Sequence, residues 1–524
     1  MSSILIGALI FSIWSSILFF GKEIGLSMIL FVAPFSCFLI YLLEKSNKEI
    51  NKKAKLLLIP IILLSITYLI FNNRFFNMLN ILVIPGLVIL MIIWLLNKNF
   101  KLNVGKIEDV LNMVFEPIAD LSKTLSKAKD YILGKIKIDI KSEKYKKIKN
   151  IAKSMCITLP IAFVIIVLLS EADDTFANIF VTFYESLKYL FKNIDVSSLI
   201  FRIIFIILTF IYLICFFEYI VTKYKVKEID RKEIRVRFDD TLTIKMILGV
   251  LNVIYLVFCY IQIKAFINAS NVHYSSFARE GFFQLMAVSI INLITMLIAK
   301  QQEKKSGNSI YIKTMSLIMI LFTFIILLSS VLRMNLYERA YGYTLLRLLV
   351  YCSLFTEAIL LIPTILYIID KKIDLAKTYF VIIITMYIVM NFANFDNIIA
   401  KRNVDRYFET GKIDIEYLEY SLDTDAIKQI IRIKENTKAI ENEKEIKEEV
   451  NMFLNQKNKE LKDEKMDFRD FNISKLFFKW GRFSFVNFFK MDLSPNENIF
   501  KMGQVFDLDV LQCILSNNMK IIHI

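Results

Sequence analysis

Arginine and acidic side chains recur at the edges of three long apolar blocks, in the stretches 277–285, 337–343 and 394–403. The polar residues in or beside these stretches are Arg279, Glu280, Gln284, Arg333, Glu338, Arg339, Arg347, Asp396 and Arg402. Arginine presents a planar fork that binds a carboxylate or a phosphate through two hydrogen bonds. Because only 14 of the 65 basic residues are arginine, their concentration here predicts a binding or structural requirement.

Two interpretations of this arginine-rich set stay open. In the first, Glu280, Glu338 and Asp396 pair with the arginines and close the outer end of a helix bundle. In the second, the arginines bind an anionic ligand or a lipid headgroup. A further candidate partner is another membrane protein. The sequence does not choose between them.

Three more charged residues fall inside apolar blocks. Glu357 lies near the middle of one block, where a carboxylate is costly in lipid. It indicates either a proton or cation relay, or a protonated side chain hydrogen-bonded between helices. Glu218 and Lys245 lie at similar depth in neighbouring blocks, so we expect an ion pair between them.

Catalytic motifs are missing from the sequence. It contains no glycine-rich phosphate loop, no nucleophile elbow and no metal-ligand spacing. The histidines are His273 and His523, and five of the six cysteines fall in apolar blocks. We therefore predict a non-enzymatic chain without a metal or other cofactor.

The elements that position these residues follow from composition. The chain has 524 residues, of which 56% are hydrophobic, and the apolar residues form blocks of about 20, the length of a membrane-spanning helix. Only helices satisfy their backbone groups in lipid. The fold class is therefore all-α, a polytopic transmembrane bundle in the lipid bilayer. We predict eleven spans, at residues 3–20, 25–43, 55–71, 77–96, 151–169, 197–221, 241–263, 282–299, 314–332, 343–369 and 378–395.

The net charge of +15 reflects the loops between blocks. Alternate loops carry 32 and 8 basic residues, and the richer set is expected on the cytoplasmic side. This distribution does not predict nucleic-acid binding, which requires a basic patch on a soluble domain. It predicts a cell (inner) membrane protein with a cytoplasmic N-terminus and an extracytoplasmic C-terminus. The three arginine-rich stretches are separated by even numbers of crossings, so they share one face.

Four regions are predicted. Residues 1–96 form a four-helix membrane region, and 97–150 a basic amphipathic cytoplasmic segment that either lies on the inner leaflet or packs on the bundle. Residues 151–403 form a seven-helix membrane domain, whose outer loop at 171–195 is expected to be an interfacial helix. Residues 404–524 form a mostly helical, water-facing tail, with a solvated helix at 428–466.

The sequence resembles an uncharacterised family of bacterial multi-pass membrane proteins classified as a domain of unknown function, DUF4173, which is related to DUF4153. The resemblance rests on residues 278–285, 340–344 with Arg347, Asn394, Asp396, Ile399 and Asn403, 417–418, 423–426 and 467–474. It implies a bacterial inner-membrane protein and an outer-facing cluster of motifs, and it implies no activity. In the family pattern an arginine follows the Tyr-Gly pair more closely in sequence than Arg347 follows Tyr341-Gly342 here. No role is therefore carried over to Arg347.

The leading hypothesis is an integral membrane protein that binds an anionic ligand, a lipid headgroup or a partner at the arginine-rich face, in envelope sensing or regulation. One alternative is a secondary transporter that uses Glu357 and the outer polar residues. Another is an enzyme that acts on a lipid-linked substrate, with Arg279 or Arg339 beside a carboxylate base.

Overall fold

The structure is a computed structural model, and it describes residues 1–46, 48–97, 105–135, 196–224, 241–267, 282–305, 309–369, 373–435, 443–463 and 467–479, with 100, 102 and 158. Within these ranges all regular secondary structure is helical. The first half contributes seven helices. They are α1 Ser2–Phe19, α2 Leu26–Lys45, α3 Leu58–Ile70, α4 Arg74–Leu96, the more polar α5 Gly105–Ala119 and α6 Leu121–Lys135, and α7 Val196–Glu218.

The second half contributes ten helices. They are α8 Thr241–Ile267, α9 Phe282–Lys305, α10 Ile310–Tyr341, α11 Leu345–Ile368, α12 Leu375–Phe392, α13 Phe395–Thr410, α14 Ile415–Tyr420, α15 Ile427–Glu435, α16 Glu443–Asp463 and α17 Ile473–Lys479.

Nine of the helices in the described ranges are long and apolar enough to cross a membrane. The shorter apolar stretch Gln284–Lys300 of α9 is a tenth apolar segment. The nine helices and this segment match ten of the eleven predicted blocks. The remaining block, 151–169, lies outside the described residues apart from residue 158, and 171–195 lies wholly outside them. The prediction of an all-α, multi-pass chain is confirmed.

Two groups of helices form the membrane part. Helices α1–α5 and α7 share one apolar core, and α8–α11 share a second. Helix α12 packs against α11 on one side and α3 on the other, so it joins the groups. The joint includes polar contacts: Tyr387 donates to Asn80 Oδ1 at 2.7 Å, and Asn80 Nδ2 donates to Asn391 Oδ1 at 2.7 Å.

The polar helices α5 and α6 pack against α7, and α5 also contacts α4. Tyr219 donates to a Glu116 carboxylate oxygen, and Lys127 Nζ lies 3.1 Å from Glu218 Oε1. The described part of the 97–150 segment therefore contacts the bundle. Its apolar side chains Leu111, Phe115 and Ile118 are exposed, so contact with the inner leaflet stays a prediction. The expected Glu218–Lys245 pair is wrong, because α6 brings Lys127 to Glu218.

Two of the three arginine-rich stretches, 337–343 and 394–403, are described, and both are largely helical. Helix α10 continues to Tyr341 and ends at Gly342, whose φ of +82° suits glycine. No glycine or proline interrupts it earlier, so Arg333, Glu338 and Arg339 are helical. The stretch after Asn394 is also helical, because the Asn394 side chain accepts from the Asn397 amide and caps α13.

Helices α13–α17, which we call the cap, cover one end of the bundle, and α13–α16 share a core with Phe76 of α4. Ile399, Tyr407, Leu418, Ile430 and Val450 are buried there. The predicted boundary at residue 404 falls inside α13. Within the predicted solvated helix at 428–466 the structure describes α15 and α16, each with a buried face, because apolar residues such as Ile430 and Val450 recur among their charged residues.

Candidate functional site

Four arginines lie around the turn between α10 and α11, and we call them the arginine cluster. They are Arg339 of α10, Arg347 of α11, and Arg402 and Arg406 of α13. Two of them are bound to backbone carbonyls at the C-terminus of α10. Arg347 Nη1 donates to Tyr341 O at 3.2 Å and to Gly342 O, and Arg406 Nη2 donates to Ala340 O at 2.8 Å. Positive charge at this helix end is favourable, because the last carbonyls have no helical partner.

The other two arginines of the cluster, Arg339 and Arg402, are exposed. The Arg402 guanidinium lies 6.0 Å from the centre of the Tyr343 ring. The carboxylate at this turn is Glu338, which is buried and accepts a hydrogen bond from the Tyr351 hydroxyl at 3.1 Å. The guanidinium charge on the surface therefore exceeds the accessible carboxylate charge.

Asn403 fixes the turn to α13. Its Oδ1 accepts from the Tyr343 amide at 2.8 Å, and its Nδ2 donates to Tyr343 O at 2.8 Å. The contact is possible because Gly342 lacks a Cβ. A Cβ there would lie 2.6 Å from Asn403 Oδ1 and 2.9 Å from Arg406 Nη1.

Gly342→Ala is therefore expected to destabilise the turn by about 1–2 kcal/mol through the positive φ and to displace Asn403 and Arg406. Hydrogen exchange of residues 340–348 in detergent-solubilised protein measures this. The control is Gly86→Ala in α4, where a Cβ meets no atom within 4 Å. Equal exchange in both variants would contradict the role given to Gly342.

Arg333 and Gln284 of the predicted set lie outside this cluster. Arg333 is buried and donates from Nη2 to Gln262 Oε1 at 2.9 Å, so it joins α10 to α8. Gln284 is exposed on α9. Arg279 and Glu280 lie outside the described residues, and their place in the set stays a prediction.

Asp396 belongs to a second polar cluster, between α13 and the α3–α4 turn. It is buried, its Oδ1 accepts from Asn73 Nδ2 at 2.8 Å, and its Oδ2 accepts from the Asp423 amide at 3.3 Å. Asp425 accepts from the Asn72 amide at 3.0 Å. Burial, followed by the charge of Asp423, raises the pKa of Asp396 to about 7.

The last described segment of the cap, 467–479, is bound to the first helices. The amides of Leu26 and Ser27, at the start of α2, donate to Phe471 O at 3.0 Å and Arg469 O at 3.1 Å. Asn472 Nδ2 donates to Tyr68 O at 2.8 Å and to Phe71 O at 2.9 Å, at the end of α3. The cap thus satisfies helix-end groups that would otherwise be unpaired.

Inside the second helix group, Glu357 on α11 is buried and accepts a hydrogen bond from Ser289 Oγ on α9. One helical turn further along α9, Asn292 accepts from Tyr255 Oη at 2.6 Å and donates to Thr323 Oγ1 at 3.0 Å. This is the interhelical bonding that one interpretation of Glu357 required. The relay stays a prediction, and Lys245 lines a groove on the α8 surface.

Sequence reasoning missed several residues of these sites. Arg406 is part of the arginine cluster, and Tyr343 and Tyr351 contact Arg402 and Glu338 beside it. Asn73 binds Asp396 in the second polar cluster. The pattern Asn72-Asn73-Arg74 between two apolar blocks was a usable signal, because asparagine before a helix is a common cap. Among the described residues, no group of three or more His, Cys, Asp or Glu side chains is placed to hold a metal ion.

The fold and these clusters define a multi-pass helical membrane protein with a polar cap over one end of its bundle. Residues 58–433, more than half of the chain, match the family model described as Domain of unknown function (DUF4153). The chain belongs to that family. The motif at 467–474 lies beyond the matched region. Comparisons with curated proteins and with solved structures find no match.

Proposed function

We propose that this chain is a non-enzymatic membrane protein that binds an anionic group, of a lipid headgroup or of a soluble anion, at the arginine cluster, and so senses or regulates the state of the envelope. The observation that carries the proposal is the charge at the α10–α11 turn. Arg339 and Arg402 are exposed, whereas Glu338 is buried and hydrogen-bonded. Two guanidiniums are thus available to a phosphate or carboxylate group.

Apolar side chains next to the arginine cluster favour a lipid over a free anion. Leu346 is 57% exposed and Tyr341 is 49% exposed, and both lie at the ends of candidate membrane spans. A phospholipid placed here would contact these side chains with its acyl chains and the arginines with its phosphate. Aromatic residues such as Tyr341 are typical of this depth in a bilayer.

The double variant Arg339→Gln, Arg402→Gln tests the proposal. Native mass spectrometry of protein released from nanodiscs of phosphatidylglycerol and phosphatidylcholine counts the anionic lipid that stays bound. We expect retention to fall about tenfold or more, because a hydrogen bond to a charged group contributes roughly 1.5–3 kcal/mol. The control, Lys412→Gln, removes an exposed charge after α13 and should leave retention unchanged.

The same variants separate the two anion sources. If inorganic phosphate stabilises the wild type against heat in pure phosphatidylcholine nanodiscs, and the double variant loses that stabilisation, the ligand is a soluble anion. Equal retention of phosphatidylglycerol by wild type and double variant, together with no effect of phosphate, would refute the proposal.

A further inference from the structure

A cavity of about 950 Å³ lies between the cap and the first helices of the chain. It is separate from the arginine cluster. Its walls come from the α1–α2 loop, the start of α4, and the cap helices α14–α17 with the turn before α15. Both polar and apolar side chains line it.

The basic residues of the wall are all paired with carboxylates of the same wall. These pairs are Arg74–Asp423 at 3.2 Å, Lys475–Glu23 at 2.7 Å and Lys457–Glu460 at 2.8 Å. Two more carboxylates, Glu419 and Glu449, also line the cavity. The described wall therefore carries an excess of negative charge at these two residues.

Glu419 has an unusual environment for a carboxylate. It is 9% exposed, and its Oε1 is buried with no hydrogen-bond partner among the residues that the structure describes. A buried oxygen left unpaired costs about 1–3 kcal/mol, and more when it is charged. The neighbouring Glu449 adds repulsion. A ligand that brings both positive charge and N–H donors would remove both costs.

The apolar part of the wall indicates the rest of the ligand. Met78 and Ile81, on the first turns of the α4 span, are 75% and 48% exposed. The cap contributes Leu422, Met452 and Phe453 to the same lining. Since α4 is a candidate membrane span, this side of the cavity leads towards the region of acyl chains. The polar part and the apolar part together suit an amphiphile.

We propose that this cavity binds an amphiphile whose headgroup carries a primary ammonium, with its N–H groups donating to Glu419 and Glu449 and its apolar chain lying along Met78 and Ile81. A quaternary ammonium has charge but no N–H to donate to the two carboxylates. A calcium ion takes six to eight oxygen ligands, and two carboxylates beside an apolar wall supply few of them.

The full chain in phosphatidylcholine nanodiscs that contain a minor fraction of phosphatidylethanolamine tests the proposal. The two lipids differ in the N–H groups of the headgroup. Native mass spectrometry should show phosphatidylethanolamine retained in excess of its share by the wild type. Glu419→Gln should lower that retention about tenfold. Glu416→Gln, an exposed residue on the same helix α14, should leave it unchanged.

A second measurement uses the wild-type protein, so its result does not depend on whether a variant folds. A hydrophobic carbodiimide modifies protonated carboxyl groups in apolar surroundings, and peptide mapping reports the extent at Glu419. We expect phosphatidylethanolamine to protect Glu419 and phosphatidylcholine to leave it reactive. The proposal is overturned if wild type and Glu419→Gln retain the amine lipid equally. It is also overturned if free ethanolamine or calcium protects Glu419 and the amine lipid does not.

Discussion

Replacing Asn472 by alanine is expected to detach residues 467–479 from the bundle, at a cost of about 3–5 kcal/mol. This one side chain makes four hydrogen bonds. Its Nδ2 binds Tyr68 O and Phe71 O, and its Oδ1 accepts from the amides of Ser474 at 2.8 Å and Lys475 at 3.2 Å. Alanine leaves these buried groups unpaired, at roughly 1 kcal/mol or more for each, and removes the cap of α17.

Hydrogen exchange measured by mass spectrometry checks this expectation. In Asn472→Ala, exchange should rise in residues 467–479 and at the start of α2, where Leu26 and Ser27 bind the same segment. Asn455→Ala, an exposed position on α16, is the matched control. Unchanged exchange at 467–479 in Asn472→Ala would show that Asn472 does not hold this segment.

The second large effect is a dependence of the cap on pH. Because burial raises the pKa of Asp396 to about 7, from an ordinary value near 3.9, the folded state binds a proton that the unfolded chain releases above about pH 4. Stability is therefore highest at low pH and falls as the pH rises to about 7. From pH 5 to pH 8 the loss from Asp396 alone is about 2–3 kcal/mol.

The neighbouring carboxyls act in the same direction, since burial also raises the pKa values of Asp423 and Asp425. Exchange in residues 395–433, corrected for the intrinsic effect of pH, should thus be slower at pH 5 than at pH 8. Asp396→Asn should reduce this difference, and Glu409→Gln, exposed on the same helix, should keep it. An Asp396→Asn variant with the wild-type pH dependence would exclude Asp396 as its source.

The all-α fold class and the positions of the apolar helices were predictable from sequence because apolar blocks of about 20 residues have one stable form in lipid. Counting crossings placed 337–343 and 394–403 on one face, and the structure brings them together through the Tyr343–Asn403 contacts. The turn 72–76 belongs to the same face by this count. Its Asn73 contacts Asp396, 323 positions later.

The partners of individual side chains were not predictable in the same way. One of the two interpretations paired the arginines with carboxylates, yet Arg347 binds the carbonyls at the end of α10, and so does Arg406, which the predicted set did not include. Those carbonyls have no partner only because the helix ends at Gly342, which hydropathy does not locate. The Lys127–Glu218 pair depends on α6 packing against α7, and no periodicity in either helix encodes that contact.

The contact of Asn472 with Tyr68 joins residues 404 positions apart, and this sets an order for assembly. Ribosomes add about 5–20 residues per second, so roughly 20–80 s separates the synthesis of the end of α3 from that of the segment that covers it. During that interval the carbonyls of Tyr68 and Phe71 rely on water at the membrane boundary. The first helices must therefore insert and persist uncovered, and the closing of the cap is one of the last steps of folding.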